Sequence, residues 1–202
     1  MIRKLSYWIL GITFVLVACI PVMGLLFLEP EEESIPDGPS VLEVICLAEN
    51  IYFEARNQGT AGWMAVSNVT INRRDDSRFP NSICDVVYEA QMEESWKTRN
   101  LDIPDNLRKY NPVKDRCQFS WYCDGIPDEI HQKQLYSKIL AFSEMMLAKE
   151  NVLDITDGAT HYHADYVRPS WARTKKKTTE IGDHIFYRWQ MQSEKDFLYG
   201  RF

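Results

Sequence analysis

Glu54 is the residue whose type and position best suit acid–base chemistry. Apolar residues precede it at helical spacing, and Glu54 falls at the end of the face that they form. Burial at that point disfavours the charged form of the carboxyl and raises its pKa, as a general acid working near neutral pH requires. The alternative is a structural ion pair. Its candidate partners are Arg56, Arg73 and Arg74.

Histidines form the second group that could do chemistry. His161 and His163 alternate with Tyr162 on a predicted strand, so both point to one face, and His184 lies on the neighbouring strand. Three converging histidines would suit a catalytic zinc ion. The alternatives are the wall of a cleft and structural packing. We predict that these side chains line a cleft, with no metal and no cofactor.

Helices must position Glu54, and the pattern predicts three long ones. The first begins with a capping box formed by Ser40 and Glu43 and ends near Gly59. A second runs from about Thr60 to Arg74, and a third from Pro127 to Glu150. A short helix is expected between Ile83 and Ala90.

Strands are expected only near the end of the chain. The segments 159–167 and 181–189 are short, aromatic and β-branched, and we predict that they form an antiparallel pair. A turn and lysine-rich residues separate them. The charged segment 91–116 is predicted to be an irregular surface excursion. The expected fold class is therefore α+β, mostly helical with a small antiparallel sheet, in one domain spanning 40–202.

An uncharged segment at 7–28 would span about 33 Å as a helix, enough to cross a bilayer. Arg3 and Lys4 precede it and acidic residues follow, which predicts a cytoplasmic 1–6 and an external catalytic domain after a linker at 29–39. We predict an uncleaved, single-pass anchor. A cleaved signal peptide and a lipoprotein signal ending at Cys19 are the alternatives.

Charge and cysteine content limit the classes of function. A formal net charge of -6 argues against a nucleic-acid partner. Four cysteines lie in the predicted external domain, where one or two disulfides could persist. Cys46 lies on an apolar helical stripe and is the candidate for a free thiol. The candidate disulfide partners are Cys84, Cys117 and Cys123, which flank predicted loops.

Four sequence blocks in a fixed order resemble the SleB-type, spore cortex-lytic enzyme-like, cell wall hydrolases. The first is IYFEARNQGTAGWMAVSNVTINR, which contains Glu54. The others are FPNSICDVVY, CQFSW and the pair GATHYHAD and IGDHIFY. The resemblance implies a lysozyme-like or lytic transglycosylase-like fold, peptidoglycan glycan strands as the partner, and Glu54 as the catalytic acid.

The same resemblance implies cleavage of the MurNAc-GlcNAc β-1,4 bond. A lytic transglycosylase can use one glutamate as acid and then base, whereas hydrolysis commonly uses two carboxylates. Glu49 points away from the Glu54 face, which favours the one-acid mechanism. Loop carboxylates leave a hydrolytic muramidase open. These are Asp124, Asp165 and Asp183.

Carbohydrate sites pair aromatic faces with polar donors, which identifies candidate substrate-binding residues. They are Gln118, Phe119, Ser120, His161, Tyr162, His163, Trp171, His184 and Tyr187. For Phe119 and Trp171, core packing is an equal alternative.

Gln58 and Asn57 depart from the family pattern, which has an acid and a glycine at these positions. Gln58 can still donate and accept hydrogen bonds to a substrate. Its presence also makes a non-catalytic peptidoglycan-binding module an alternative, and a zinc amidase is a further one. The pattern leaves open whether the setting is wall remodelling or phage lysis.

Overall fold

The computed structural model describes residues 38–148 and 153–191 of the 202-residue chain. The described residues group as one compact unit. The predicted anchor at 7–28 and nearly all of the predicted linker lie outside the described residues. Among the helices in the described ranges, none is long and apolar enough to cross a membrane.

The predicted helices are present. They are α1 (Val41–Ala55), α2 (Gly59–Asp75), α3 (Ile83–Val87) and α4 (Lys133–Ala148). Helix α1 ends earlier than predicted, because the chain turns at Gln58, whose N–H donates to the Ala55 carbonyl, before Gly59 takes a positive φ of 65°. Helix α4 begins six residues after the predicted start at Pro127.

The predicted capping box does not form. The Ser40 side chain makes no capping hydrogen bond to α1. The Glu43 carboxylate instead accepts the Ile83 N–H at 3.1 Å. This contact satisfies a free amide at the start of α3, so a tertiary contact replaces the local one.

Helix α1 is at the centre of the main core. Leu47 and Ile51 have no exposed surface, and the helix packs against α2, α3 and α4. Ile139 and Met146 contribute the buried side of α4. These contacts hold the last turn of α1, and Glu54 with it, in a fixed position.

The sheet near the end of the chain has three antiparallel strands. They are β3 (His161–Ala164), β4 (Lys176–Ile181) and β5 (His184–Arg188), in the order β3-β5-β4. The predicted pairing of the two aromatic segments is confirmed, with Tyr162 opposite Phe186. The lysine-rich segment that was predicted to be a connection forms β4. Its first two residues are exposed lysines, so the sequence lacks the alternation of apolar and polar residues that indicates a strand.

The prediction that the segment 91–116 is irregular is wrong in part. The segment contains most of a two-stranded antiparallel hairpin. Its strands are β1 (Ala90–Glu94) and β2 (Tyr110–Cys117). Most of their side chains are exposed, so no buried face imposes the alternation by which a strand is recognised.

Both disulfides link residues of the described domain. Cys46 bonds to Cys84, joining α1 to α3, and Cys117 bonds to Cys123. The prediction of one or two disulfides is confirmed, but the suggestion that Cys46 is a free thiol is wrong. Packing of α3 on α1 brings Cys84 to the apolar stripe, which the sequence alone does not show.

Candidate active site

Glu54 lies in the last turn of α1 and lines a cavity of about 500 Å³. The cavity lies between the ends of α1 and α2, the segment that follows β2, and the three-stranded sheet. Its walls are formed by Glu54, Gln58, Arg73, Cys117, Gln118, Ser120, Tyr162, His163, Ala164, Tyr166, Val167, Asp183 and His184. A cavity of this size can take a sugar unit.

Burial raises the pKa of the Glu54 carboxyl above its ordinary value. The Tyr162 hydroxyl and the Arg73 guanidinium oppose this rise, because both favour the carboxylate. In the described ranges Glu54 makes no ion pair, which disfavours the alternative of a structural ion pair. Arg74 pairs with Asp75 instead, and Arg56 donates to the Tyr52 carbonyl.

Arg73 is a buried cation beside the catalytic candidate, with 5% of its surface exposed. Its Nε donates to the Thr160 carbonyl at 2.8 Å, and its guanidinium lies 4.8 Å from the Phe119 ring centre. Burial lowers its pKa, but a guanidinium remains charged in proteins. Arg73 therefore provides a fixed positive charge close to the Glu54 carboxylate.

Tyr162 lies on β3 with its hydroxyl directed toward Glu54. The hydroxyl is buried and has no hydrogen-bond partner with regular geometry among the described residues. Burial and the nearby Glu54 raise the pKa of Tyr162 well above its ordinary value, so the phenol stays neutral. A neutral hydroxyl can donate to Glu54 once that carboxyl has lost its proton.

Gln58 reaches the same cavity and is closely confined by two glycines. A Cβ at Gly182 would lie 2.5 Å from the Gln58 Oε1, and a Cβ at Gly62 would lie 2.5 Å from the Gln58 Cβ. The Oε1 is buried and accepts no hydrogen bond from the described part of the chain. Gln58, which departs from the family pattern, is thus held at the cavity with its Oε1 free to accept a hydrogen bond.

The histidines separate into two environments. His163 and His184 line the cavity, whereas His161 packs among Phe79, Trp171 and Trp189. Burial and nearby cations lower the pKa of His161 to about 4, so it is neutral at neutral pH. Within 38–148 and 153–191, no three His, Cys, Asp or Glu side chains group as a metal site.

The structure brings together only part of the predicted binding set. Gln118, Ser120, Tyr162, His163 and His184 line the cavity with Glu54. Phe119 is buried beneath Arg73, and Trp171 packs against His161. Tyr187 lines a neighbouring cavity and bonds to His163.

Carboxyl groups other than Glu54 are also present near the site. Asp183 lines the cavity, whereas Asp124 does not and accepts the Ile126 N–H. Glu89 was not predicted: one of its oxygens is buried without a partner in the described ranges, and its charge acts on Arg73. It falls within the short helix predicted between Ile83 and Ala90, but α3 ends at Val87, and Glu89 lies in the link to β1, where no helical pattern could mark it.

Comparison with known proteins gives a consistent family assignment. The family model described as cell wall hydrolase matches residues 57–187, more than half of the chain. The match begins just after Glu54. The assignment of Glu54 as the acid therefore remains a prediction from the resemblance of its sequence block and from its buried position beside the cavity.

The relatives found are spore cortex-lytic enzymes. The Bacillus cereus enzyme is 25% identical over 154 residues, covering 76% of this chain and 47% of the relative. The Halalkalibacterium halodurans enzyme is 23% identical, covering 76% of this chain and 37% of the relative. The chain thus spans less than half the length of these curated relatives.

Two solved structures resemble this chain with TM-scores below 0.5. The catalytic domain of the germination-specific lytic transglycosylase SleB from Bacillus anthracis has a TM-score of 0.48 at 23% identity, covering 76% of this chain and 100% of that domain. The catalytic domain of the Bacillus cereus SleB protein has a TM-score of 0.44 at 20% identity, covering 79% of this chain and 100% of that domain.

Proposed function

This chain belongs to the cell wall hydrolase family, and from that premise we propose that it is a lytic transglycosylase that cleaves the MurNAc-GlcNAc β-1,4 bond of peptidoglycan. The observation that best supports acid-catalysed cleavage of a glycosidic bond is the burial of Glu54, which raises its pKa, beside a cavity large enough for a sugar. We also infer a lysozyme-like or lytic transglycosylase-like fold for the helices and small sheet.

In the first step, the protonated Glu54 donates its proton to the oxygen of the glycosidic bond as the bond to C1 of muramic acid breaks. Positive charge develops on the sugar ring while Glu54 becomes a carboxylate. The positive charge of Arg73 and the hydrogen bond from the Tyr162 hydroxyl stabilise that carboxylate, which is why both lower the pKa of Glu54.

In the second step, the Glu54 carboxylate takes the proton of the C6 hydroxyl of the same muramic acid. The C6 oxygen then bonds to C1, which leaves a 1,6-anhydromuramoyl end and restores protonated Glu54. No water and no second carboxylate are needed. One glutamate between a cation and a neutral phenol is sufficient for both proton transfers.

A hydrolytic muramidase is the second candidate, because the Asp183 carboxylate lines the same cavity as Glu54. In that reaction, a second carboxylate would activate water or bond to the sugar. The product would then be a reducing muramic acid in place of an anhydro end.

The test is digestion of purified peptidoglycan by the parent and by Glu54→Gln, followed by mass spectrometry of the released muropeptides. We expect anhydromuramoyl products from the parent and at least a 100-fold lower rate from the variant, the range typical of a lost general acid. Glu144→Gln, which removes an exposed carboxyl on α4, is the matched control and should retain full activity.

Each alternative gives a distinct result. Reducing ends in place of anhydro ends would identify a muramidase. Binding to peptidoglycan without release by the parent would identify a binding module and contradict the proposed reaction. Glu54→Gln should unfold at no lower temperature than the parent at neutral pH, because it replaces a buried ionisable group with a neutral one.

The proposed location is the outer side of the cytoplasmic membrane, with the segment 7–28 as an uncleaved anchor. Its support is the uncharged segment, the basic residues before it and the acidic residues after it. Two disulfides in the described domain are consistent with an oxidising compartment.

A further inference from the structure

A second cavity of about 470 Å³ adjoins the one that holds Glu54. His163 and Val167 line both, so the two cavities are neighbours with a common wall. His163 is held in place there, because its Nε2 bonds to the Tyr187 hydroxyl at 3.1 Å and its Nδ1 to the Ala164 carbonyl. A substituent of a sugar in the first cavity could extend past this wall.

The charges of the second cavity are distinctive for an acidic protein. Arg168 and Arg173 both line it, and both are exposed. Neither has an ion pair or hydrogen bond with any residue in the described ranges, whereas Arg78, which is also exposed, is paired with Asp76. The lining therefore contains two cations that pair with no residue in the described part of the chain.

Asp165 is the one acidic residue among the described residues of this lining. Its charge acts on His184, at the side of the cavity nearest to the catalytic site. The second cavity therefore combines two cationic groups and one anionic group. An uncharged sugar would not use this combination, but a short zwitterionic peptide would.

We propose that this cavity binds the peptide stem carried by muramic acid, with Arg168 and Arg173 contacting its carboxylates. The inference rests on the proposed function, because the stem is attached at C3 of the same muramic acid whose glycosidic oxygen Glu54 protonates. Guanidinium groups bind carboxylates in a planar, two-bond geometry. Asp165 would then face the free amine of a diamino acid in the stem.

The test measures binding without cleavage, so it does not depend on catalysis. The full chain carrying Glu54→Gln, kept in detergent, is mixed with purified peptidoglycan and the bound fraction is measured after sedimentation. A second batch of the same peptidoglycan has its carboxyl groups converted to amides. We expect about five- to tenfold tighter binding to the untreated batch, as two exposed ion pairs allow.

Arg168→Gln with Arg173→Gln, added to this background, should abolish the preference and leave binding to amidated peptidoglycan unchanged. The matched control is Lys133→Gln with Lys138→Gln, which removes the same charge from exposed positions on α4 and should keep the preference. Equal binding of both batches by the background protein, or a preference that survives loss of both arginines, would overturn the proposal.

A third batch, stripped of its stems by an amidase, separates the stem from the lactyl carboxylate that remains on the sugar. We expect binding as weak as to the amidated batch, and binding as tight as to untreated material would overturn the assignment to the stem. Cleavage by the parent is scored separately. A parent that binds with the predicted preference and cleaves nothing would contradict the proposed function and leave the stem site supported.

Discussion

Glu54 is subject to opposing effects on its protonation. Burial raises its pKa, which favours the acid form, while the Tyr162 hydroxyl and Arg73 oppose that rise. A purely apolar site would make the proton hard to lose, and an ion pair would remove it before substrate arrives. The observed surroundings suit a group that must first give and then take a proton.

Tyr162→Phe tests this balance. The variant removes a contact that lowers the pKa of Glu54, so that pKa should rise and the fall in activity on the alkaline side should move to higher pH. The maximal rate should drop by about 10- to 100-fold, the effect of losing a hydrogen bond of about 1.5–3 kcal/mol to a carboxylate. Rates measured across pH give both quantities.

Tyr110→Phe, which removes the hydroxyl of a half-exposed tyrosine on β2, is the control and should leave the pH profile unchanged. The Tyr162 hydroxyl has no hydrogen-bond partner with regular geometry among the described residues, so the variant should fold normally. An alkaline limb that moves to lower pH in Tyr162→Phe would contradict the role assigned to the hydroxyl.

At the scale of elements, the turn between β4 and β5 positions Gln58. Gly182 lies in this turn with a positive φ of 57°, and its missing side chain leaves room for the Gln58 amide. Gln58, just before α2, therefore contacts the turn between β4 and β5 at Gly182, where a larger residue would not fit. This contact connects the helical side of the cavity to the strand side.

Gly182→Ala should have two separable effects. The positive φ should lower the free energy of unfolding by about 1–2 kcal/mol in any background. The new Cβ should also displace the Gln58 amide and lower activity, but only where Gln58 is present. The measurement is urea unfolding and activity in the parent and in a Gln58→Ala background.

The expected outcome of this cycle is that Gly182→Ala lowers activity in the parent but not in the Gln58→Ala background, and that it lowers stability more in the parent, where the new Cβ also meets the Gln58 Oε1. An equal further loss of activity from Gly182→Ala in both backgrounds would show that the glycine does not act through Gln58.

The two disulfides stabilise different parts of the domain. Cys46–Cys84 joins two core helices, whereas Cys117–Cys123 closes the segment that carries Gln118 and Ser120 into the cavity. Trp121 in the same segment donates to Asn50 on α1 at 3.0 Å. The second disulfide thus supports the cavity wall directly.

Replacing both cysteines of a pair with serine should distinguish these roles. By loop-closure entropy, loss of Cys117–Cys123 should cost about 2 kcal/mol, and loss of Cys46–Cys84 about 4 kcal/mol. Only the first should raise KM, because only it loosens lining residues. Unfolding by urea and rates on peptidoglycan check both; a raised KM in the Cys46–Cys84 variant alone would contradict the assignment.

At the scale of the whole molecule, the proposed anchor predicts that the full chain sediments with membranes and resists a carbonate wash. Leu16→Arg with Val17→Arg should release it, because two arginines at the centre of a spanning helix cost about 5–7 kcal/mol. Immunoblotting of membrane and soluble fractions measures this, and the mass of the mature protein tests cleavage. A mature chain lacking its first residues would contradict the uncleaved anchor.

The sequence by itself determined the long helices, the pairing of the two aromatic strands and the family. Helices α1, α2 and α4 have a buried face that repeats every turn, which is a local signal. The ordered motif blocks are local too, and they identified the family that the chain belongs to. Glu54 could be selected for the same reason, since its place on the apolar face of one helix is visible in the sequence.

Only the tertiary structure decided what surrounds Glu54. Arg73, Tyr162 and Gly182 come from separate elements, and their approach to the site depends on how those elements pack. The same holds for the pairing of Cys46 with Cys84, for Glu43 at the start of α3 and for the exposed strands of the hairpin. These contacts join residues far apart in the chain, and a local pattern contains no information about which distant residues meet.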